Sequence, residues 1–250
     1  VGLLGVGGFL AIRLRISAAG PTEATQERHR LADERKAVER KVDLVLDPDL
    51  TPHERLTIID GFIPRLNARA ALRPYLKRFV VVSELSPSSK ELLTRARRAV
   101  TSVSRSRVAG TGLLDDVANE VLLPRQVWEI ARLLHVQTQL QQEQEQARRG
   151  LMTAELRAVL EPQQAALTRS VAKVTARVAA LEEYAHRVAT ADAALKAREA
   201  LANNGKYQEL LAHTDDAEGM NELMARGEAL ESTLARSVRD AIDAGRTLAL

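Results

Sequence analysis

Residues 151–204 read LMTAELRAVLEPQQAALTRSVAKVTARVAALEEYAHRVATADAALKAREALANN, and this stretch decides the fold. Leu160, Leu167, Val174, Leu181, Val188, Leu195 and Ala202 recur every seven residues, and Val171, Val178 and Ala185 interleave between them. That is the seam of a helix packed along its length against another helix. A helix of about 50 residues rises roughly 75 Å at 1.5 Å per residue. A rod of that length predicts a layered helical protein, not one compact core. Its second seam position also holds Arg157, Gln164, Asp192 and Glu199. Polar residues there weaken both ends of a seam, so tight contact is expected from Leu167 to Val188.

Composition agrees with thin helical layers. Hydrophobic residues make up 45% of the chain but aromatic residues only 3%, so Ala, Leu and Val carry the apolar surface. Cysteine is absent, which excludes disulfides, thiolate metal sites and cysteine nucleophiles. Residues 1–110 hold 20 Lys and Arg against 12 Asp and Glu, whereas residues 111–250 hold 16 against 21. The net charge of +3 thus hides a basic front half and an acidic back half. Such a split is expected of a chain whose front half lies near an anionic surface.

Residues 1–12 are wholly apolar, with Gly2, Gly5, Gly7 and Gly8 among them, and Arg13 and Arg15 come at once after them. Twelve residues are short of the roughly 20 that cross a bilayer, so the segment reads as the end of a truncated transmembrane helix. A signal peptide carries its charges ahead of the apolar run, and a buried core segment is the remaining reading. Basic residues just after a span place the downstream chain in the cytoplasm. The expected location is therefore the cell membrane, single-pass, with residues after Arg13 cytoplasmic.

Gly20-Pro21 breaks the run, and a charge-dense stalk helix is expected from Thr22 to about Leu46, with Leu31, Val38 and Val45 as its thin seam. Thr51-Pro52-His53-Glu54 is a capping box with Pro at the first helical position, and it starts a helix carrying Leu56, Ile59, Ile63 and Leu66. The β-branched run 79–82 has no visible partner strand and reads as buried helix. Ser88 with Glu91 predicts a second box, opening a basic helix. The Ser/Gly/Arg-rich stretch 101–112 reads as its frayed end and a linker.

Leu113, Leu114, Val117, Val121 and Leu122 form an apolar face up to Pro124. The segment 125–149 is apolar as far as Leu134 and glutamine-rich beyond it. Gly150 is expected to turn it into the long helix as an antiparallel hairpin. Pro162 either kinks that helix or opens its first turn. Asn203-Asn204-Gly205 ends it, and a last helix runs from about Ala217 to Ala244 with Leu230, Leu234, Val238 and Ile242 on one face, closed by Gly245.

Chemical motifs are sparse. Glu183 and His186 form a single Glu-x-x-His unit, where a di-iron bundle needs two units and two further Glu. Both fall outside the seam. His53-Glu54 lacks the second His of a zinc-protease helix, and Glu209 with His213 is an ordinary i,i+4 pair. Gly5, Gly7 and Gly8 lack a dinucleotide fingerprint. No cofactor, metal site or catalytic residue is expected. Trp128 reads as packing or as an interface anchor, and Thr101, Ser102, Ser104 and Ser106 as linker hydroxyls open to phosphorylation. The basic cluster Arg95, Arg97, Arg98, Arg105 and Arg107 suits an anionic surface, either lipid headgroups or nucleic-acid phosphates, and equally a solvated helix face.

The expected architecture is all-α. A truncated N-terminal transmembrane helix (1–16) precedes a basic helical membrane-proximal region (17–110). A long antiparallel helical hairpin or coiled coil with a C-terminal helix (111–250) completes it. The expected role is a non-enzymatic membrane-anchored scaffold or interaction protein facing the cytoplasm. The alternative is a peripheral nucleic-acid-associated coiled-coil protein using residues 95–107. The seam past Val178 has no obvious hairpin partner, so Val178, Leu181, Val188 and Leu195 are the expected surface for a protein partner or a second copy of the chain. The acidic face at 113–123 and the last helix are the intramolecular candidates.

Overall fold

A computed structural model describes residues 23–111, 116–201, 204–213 and 217–249. Expectations that fall on residues 1–22, on Leu113 and Leu114, and on the cap at 214–216 lie outside them. The protein is built from long helices: α1 (Glu23–Lys41), α2 (Pro52–Asp60), α3 (Pro87–Ser104), α4 (Asp116–Ala147), α5 (Ala154–Leu201), α6 (Asn204–His213) and α7 (Ala217–Ala249). Two short strands, β1 (Leu44–Leu46) and β2 (Phe79–Val81), pair antiparallel. No helix among the described residues is long and apolar enough to cross a membrane.

The spine is α5, 48 residues and roughly 72 Å long at 1.5 Å per residue. It buries Leu160, Leu167, Val174, Leu181, Val188 and Leu195, the heptad series of the sequence, together with Val178, Tyr184, Ala185, Ala191 and Ala194. Pro162 lies inside it, and Pro124 lies inside α4, which therefore runs unbroken past the expected stop. Alongside the second half of α5, α7 runs antiparallel and α3 parallel, while α4 packs nearer the spine's first half. Gly245 does not close α7. It sits inside the helix, where an added Cβ would come within 3.2 Å of the Tyr184 ring, so its missing side chain lets α7 lie close on α5.

Two expectations in the front half are corrected. The stalk helix stops at Lys41, not Leu46, and the run 79–82 is strand, not buried helix. Leu44, Val45 and Leu46 pair with Val81, Val80 and Phe79. Side chains alternate across this ribbon. Val45 and Val80 face the main core, and Leu44, Leu46, Phe79 and Val81 face a second cluster around Leu50, Ile58 and Leu72. One ribbon thus joins two cores, and neither side leaves an apolar face to solvent.

The Thr51 box forms as expected: the Thr51 Oγ1 accepts from the Glu54 N–H at 3.3 Å, and the Thr51 N–H donates to Glu54 Oε2 at 2.8 Å. The second cap is Ser86, not Ser88, because Pro87 takes the first helical position. The described part of the expected linker, residues 101–111, is packed and not free, since Val103 and Val108 are 1% and 0% exposed in the main core. Gly61 ends α2 directly beneath Leu72, whose Cδ2 and Cγ would lie 2.4 and 2.6 Å from an added Cβ. Gly61→Ala is expected to cost about 1–3 kcal/mol by overpacking, read as a lower urea midpoint at unchanged slope.

Candidate interaction surface

The four residues expected to meet a partner are buried within the chain. Val178, Leu181, Val188 and Leu195 are 0%, 1%, 1% and 8% exposed, in one core with Leu93, Ala96 and Val103 of α3 and with Leu234, Ala241 and Leu248 of α7. The unaccounted half of the seam is therefore covered by α3 and α7, and these side chains are not accessible to a second chain. The polar seam residues are also committed internally. Asp192 accepts from the Val108 N–H at 2.8 Å, Glu199 pairs with Arg107, and Gln164 accepts from Arg148. Trp128 is buried in the same core.

The arginine cluster is largely consumed by ion pairs. Arg95 forks onto Glu182 at 2.8 and 2.7 Å, Arg97 reaches both Asp43 oxygens and the Leu44 carbonyl, and Arg107 forks onto Glu199 at 2.6 Å. The Arg95 hydrogen bonds hold the Glu182 carboxyl below its usual range, and Glu182 raises Arg95 in return. These pairs are part-exposed and screened by solvent, so each contributes little stability. They do register α3 against β1 and α5. Arg98 and Arg105 are exposed and line a shallow hollow with Asp43, Thr101 and Ser102. Glu183 pairs with Arg187 one turn away, and among the described residues no group of three or more His, Asp or Glu is placed to hold a metal ion.

An unpartnered surface lies elsewhere, on the first half of the hairpin. The main core ends at Leu134 on α4 and at Val174 on α5. The α3 N-terminus stops beside Thr138, which receives the Ser86 N–H at 3.2 Å. The C-terminal end of α7 stops at the level of Gln126, which donates to the Leu248 carbonyl at 2.9 Å. There Arg177 bonds Gln126 Oε1 and Glu129 Oε2, both at 2.5 Å, and closes the base. Beyond these points α4 and α5 continue as a two-helix arm, with no third helix over it among the described residues.

The arm's interior is half polar. Gln137 donates to Ser170 Oγ at 2.8 Å, and Leu160 and Leu167 are buried. Gln144 is 8% exposed, and its Oε1 is buried without a hydrogen-bond partner among the described residues. An acceptor left in that state costs about 1–3 kcal/mol. On one side of the arm the helices diverge into a groove of about 580 Å³, and Gln144 lines it together with Leu133, Val136, Leu140, Leu160 and Ala166. Leu140 and Val159 are 45% and 55% exposed, and Leu151 at the tip is 88% exposed. The sequence holds a signal for this strip: Leu133, Val136, Leu140 and Ala147 keep helical spacing through the glutamine-rich stretch. Six Gln from residue 137 to residue 146 mask it by lowering the average hydropathy.

Ionic flanks complete the surface. Glu143 lies at the groove, and Arg132 stands eleven residues before it, about three turns, on the same strip of α4. On α5, Glu155 and Lys173 stand eighteen residues apart, about five turns, on one strip, and Lys173 is one heptad from the groove residue Ala166. Arg132, Glu143 and Lys173 are exposed and make no ion pair among the described residues. The Glu155 carboxyl is held below its usual range by its own backbone N–H and the Thr153 hydroxyl. On these two strips the acid lies toward the tip and the base toward the body, while Arg148, Arg149 and Arg157 stand near the tip off the strips. No family model, no curated protein and no solved structure matches this chain.

Proposed function

We propose that the protein is a non-enzymatic, membrane-anchored helical scaffold facing the cytoplasm, whose body presents the α4/α5 arm to a protein partner. The observation that carries this reading is the groove with exposed Val136 and Leu140 beside a buried Gln144 Oε1 that has no hydrogen-bond partner among the described residues. An apolar strip rimmed by charge is the pattern of a docking face. Residues 1–16 supply the anchor by their apolar run and trailing arginines. The test places a photo-crosslinking benzoylphenylalanine at position 140 or, as control, at exposed Thr168, and fractionates irradiated cells. A protein adduct is expected at 140 and not at 168, in the membrane fraction, shifting to the soluble fraction when residues 1–20 are deleted. No adduct at 140 removes the docking arm, and membrane association without residues 1–20 removes the anchor.

A further inference from the structure

We infer that the occupant of the arm groove is a second copy of the same arm, stacked antiparallel about a two-fold axis. This rests on the reading of the arm as a docking surface and names its partner. The charge pattern selects it. Each helix of the arm carries an acid toward the tip and a base toward the body, Glu143 with Arg132 on α4 and Glu155 with Lys173 on α5. A two-fold axis in the interface and perpendicular to the arm lays α4 on α4 and α5 on α5 in opposite directions. With the axis level with residues 137 and 138 of α4, beside Ser170 of α5, Glu143 opposes the partner's Arg132. Because a two-fold contact is isologous, each pairing is made twice.

The parallel arrangement fails on the same residues. With both tips at one end, Arg132 meets the partner's Lys173, so like charges oppose each other across the contact. The groove itself fits a helical occupant of its own composition. Leu133, Val136 and Leu140 offer knobs, and Ala166 leaves a hole on the facing helix. Gln144 Oε1 offers an acceptor to a donor on the occupant.

Charge reversal in the full 250-residue chain tests the inference. With benzoylphenylalanine at 140, the adduct is expected at twice the chain mass of 27.4 kDa. Glu143→Arg and Arg132→Glu are each expected to lower its yield about tenfold, and the double variant to restore it. These side chains are exposed, and unchanged circular dichroism and melting temperature confirm that each variant folds. An adduct of any other mass overturns the second copy while leaving the arm a docking surface. A doubled-mass adduct whose yield ignores the single reversals, or is not restored in the double variant, overturns the antiparallel pairing. The absence of any adduct overturns both readings.

Discussion

Replacing Leu181 with Ala is expected to lower the folding free energy by about 2–5 kcal/mol without changing the oligomeric state. Leu181 is 1% exposed and lies where α5 packs with α3, α4 and α7 in the main core. Removing its isobutyl group leaves a cavity between four long helices, which cannot collapse independently because each is registered by distant polar contacts. Arg95 ties α3 to Glu182, Gln126 ties α4 to the end of α7, and Tyr184 ties α5 to Asn119. Urea unfolding tracked by circular dichroism measures the loss, and sedimentation at several concentrations measures the assembly. A residue serving a partner interface gives the opposite result: little change in the monomer's midpoint and a large change in association. That opposite result would reinstate Leu181 as a partner contact.

The periodic part of this fold is legible in the sequence. The heptad series Leu160 to Leu195 of α5 is buried as its spacing predicts, because helical periodicity is set by neighbours in the chain, but the interleaved Val171 is 39% exposed, where the arm has left the main core. The Thr51 cap is legible for the same reason, being complete within four residues. What escapes is whatever depends on residues far apart. Strands of three residues carry too short an alternation to be seen, and their partners stand 33 or more residues away. The arginines of α3 read as a free cationic patch because their acids, Glu182, Asp43 and Glu199, lie 54 to 92 residues distant.

The seam shows the same limit from the other side. Its apolar residues announce that a helix must cover them, and nothing in their spacing says whose helix. Asp192 and Glu199 look like weaknesses in a coiled coil, yet they fix the segment after α3 through the Val108 N–H and Arg107. The arm groove is hidden by context: Leu140 sits among glutamines, and only the ending of α3 and α7 short of the tip shows that its face is uncovered.

Truncation before Thr233 is expected to abolish cooperative folding of the remaining chain. The deletion removes Leu234 and Leu248, both 8% exposed, Ala241 at 0%, and the partly buried Val238 and Ile242. Burial of each larger aliphatic contributes about 1.5–3 kcal/mol, so their sum approaches the whole net stability of a typical domain, about 5–15 kcal/mol. The loss falls on Tyr184, Val188, Ala191 and Leu195, which would then face water as a continuous stripe. A broad thermal transition, dye binding and concentration-dependent aggregation are the expected readouts, with helical circular dichroism partly kept. Adding a separate peptide of residues 217–250 is expected to restore a sharp transition, because the stripe on α5 requires a covering helix and not a continuous chain. A truncated chain that melts sharply and stays monomeric would mean that α7 contributes little, and that the seam of α5 is covered by something other than the C-terminal helix.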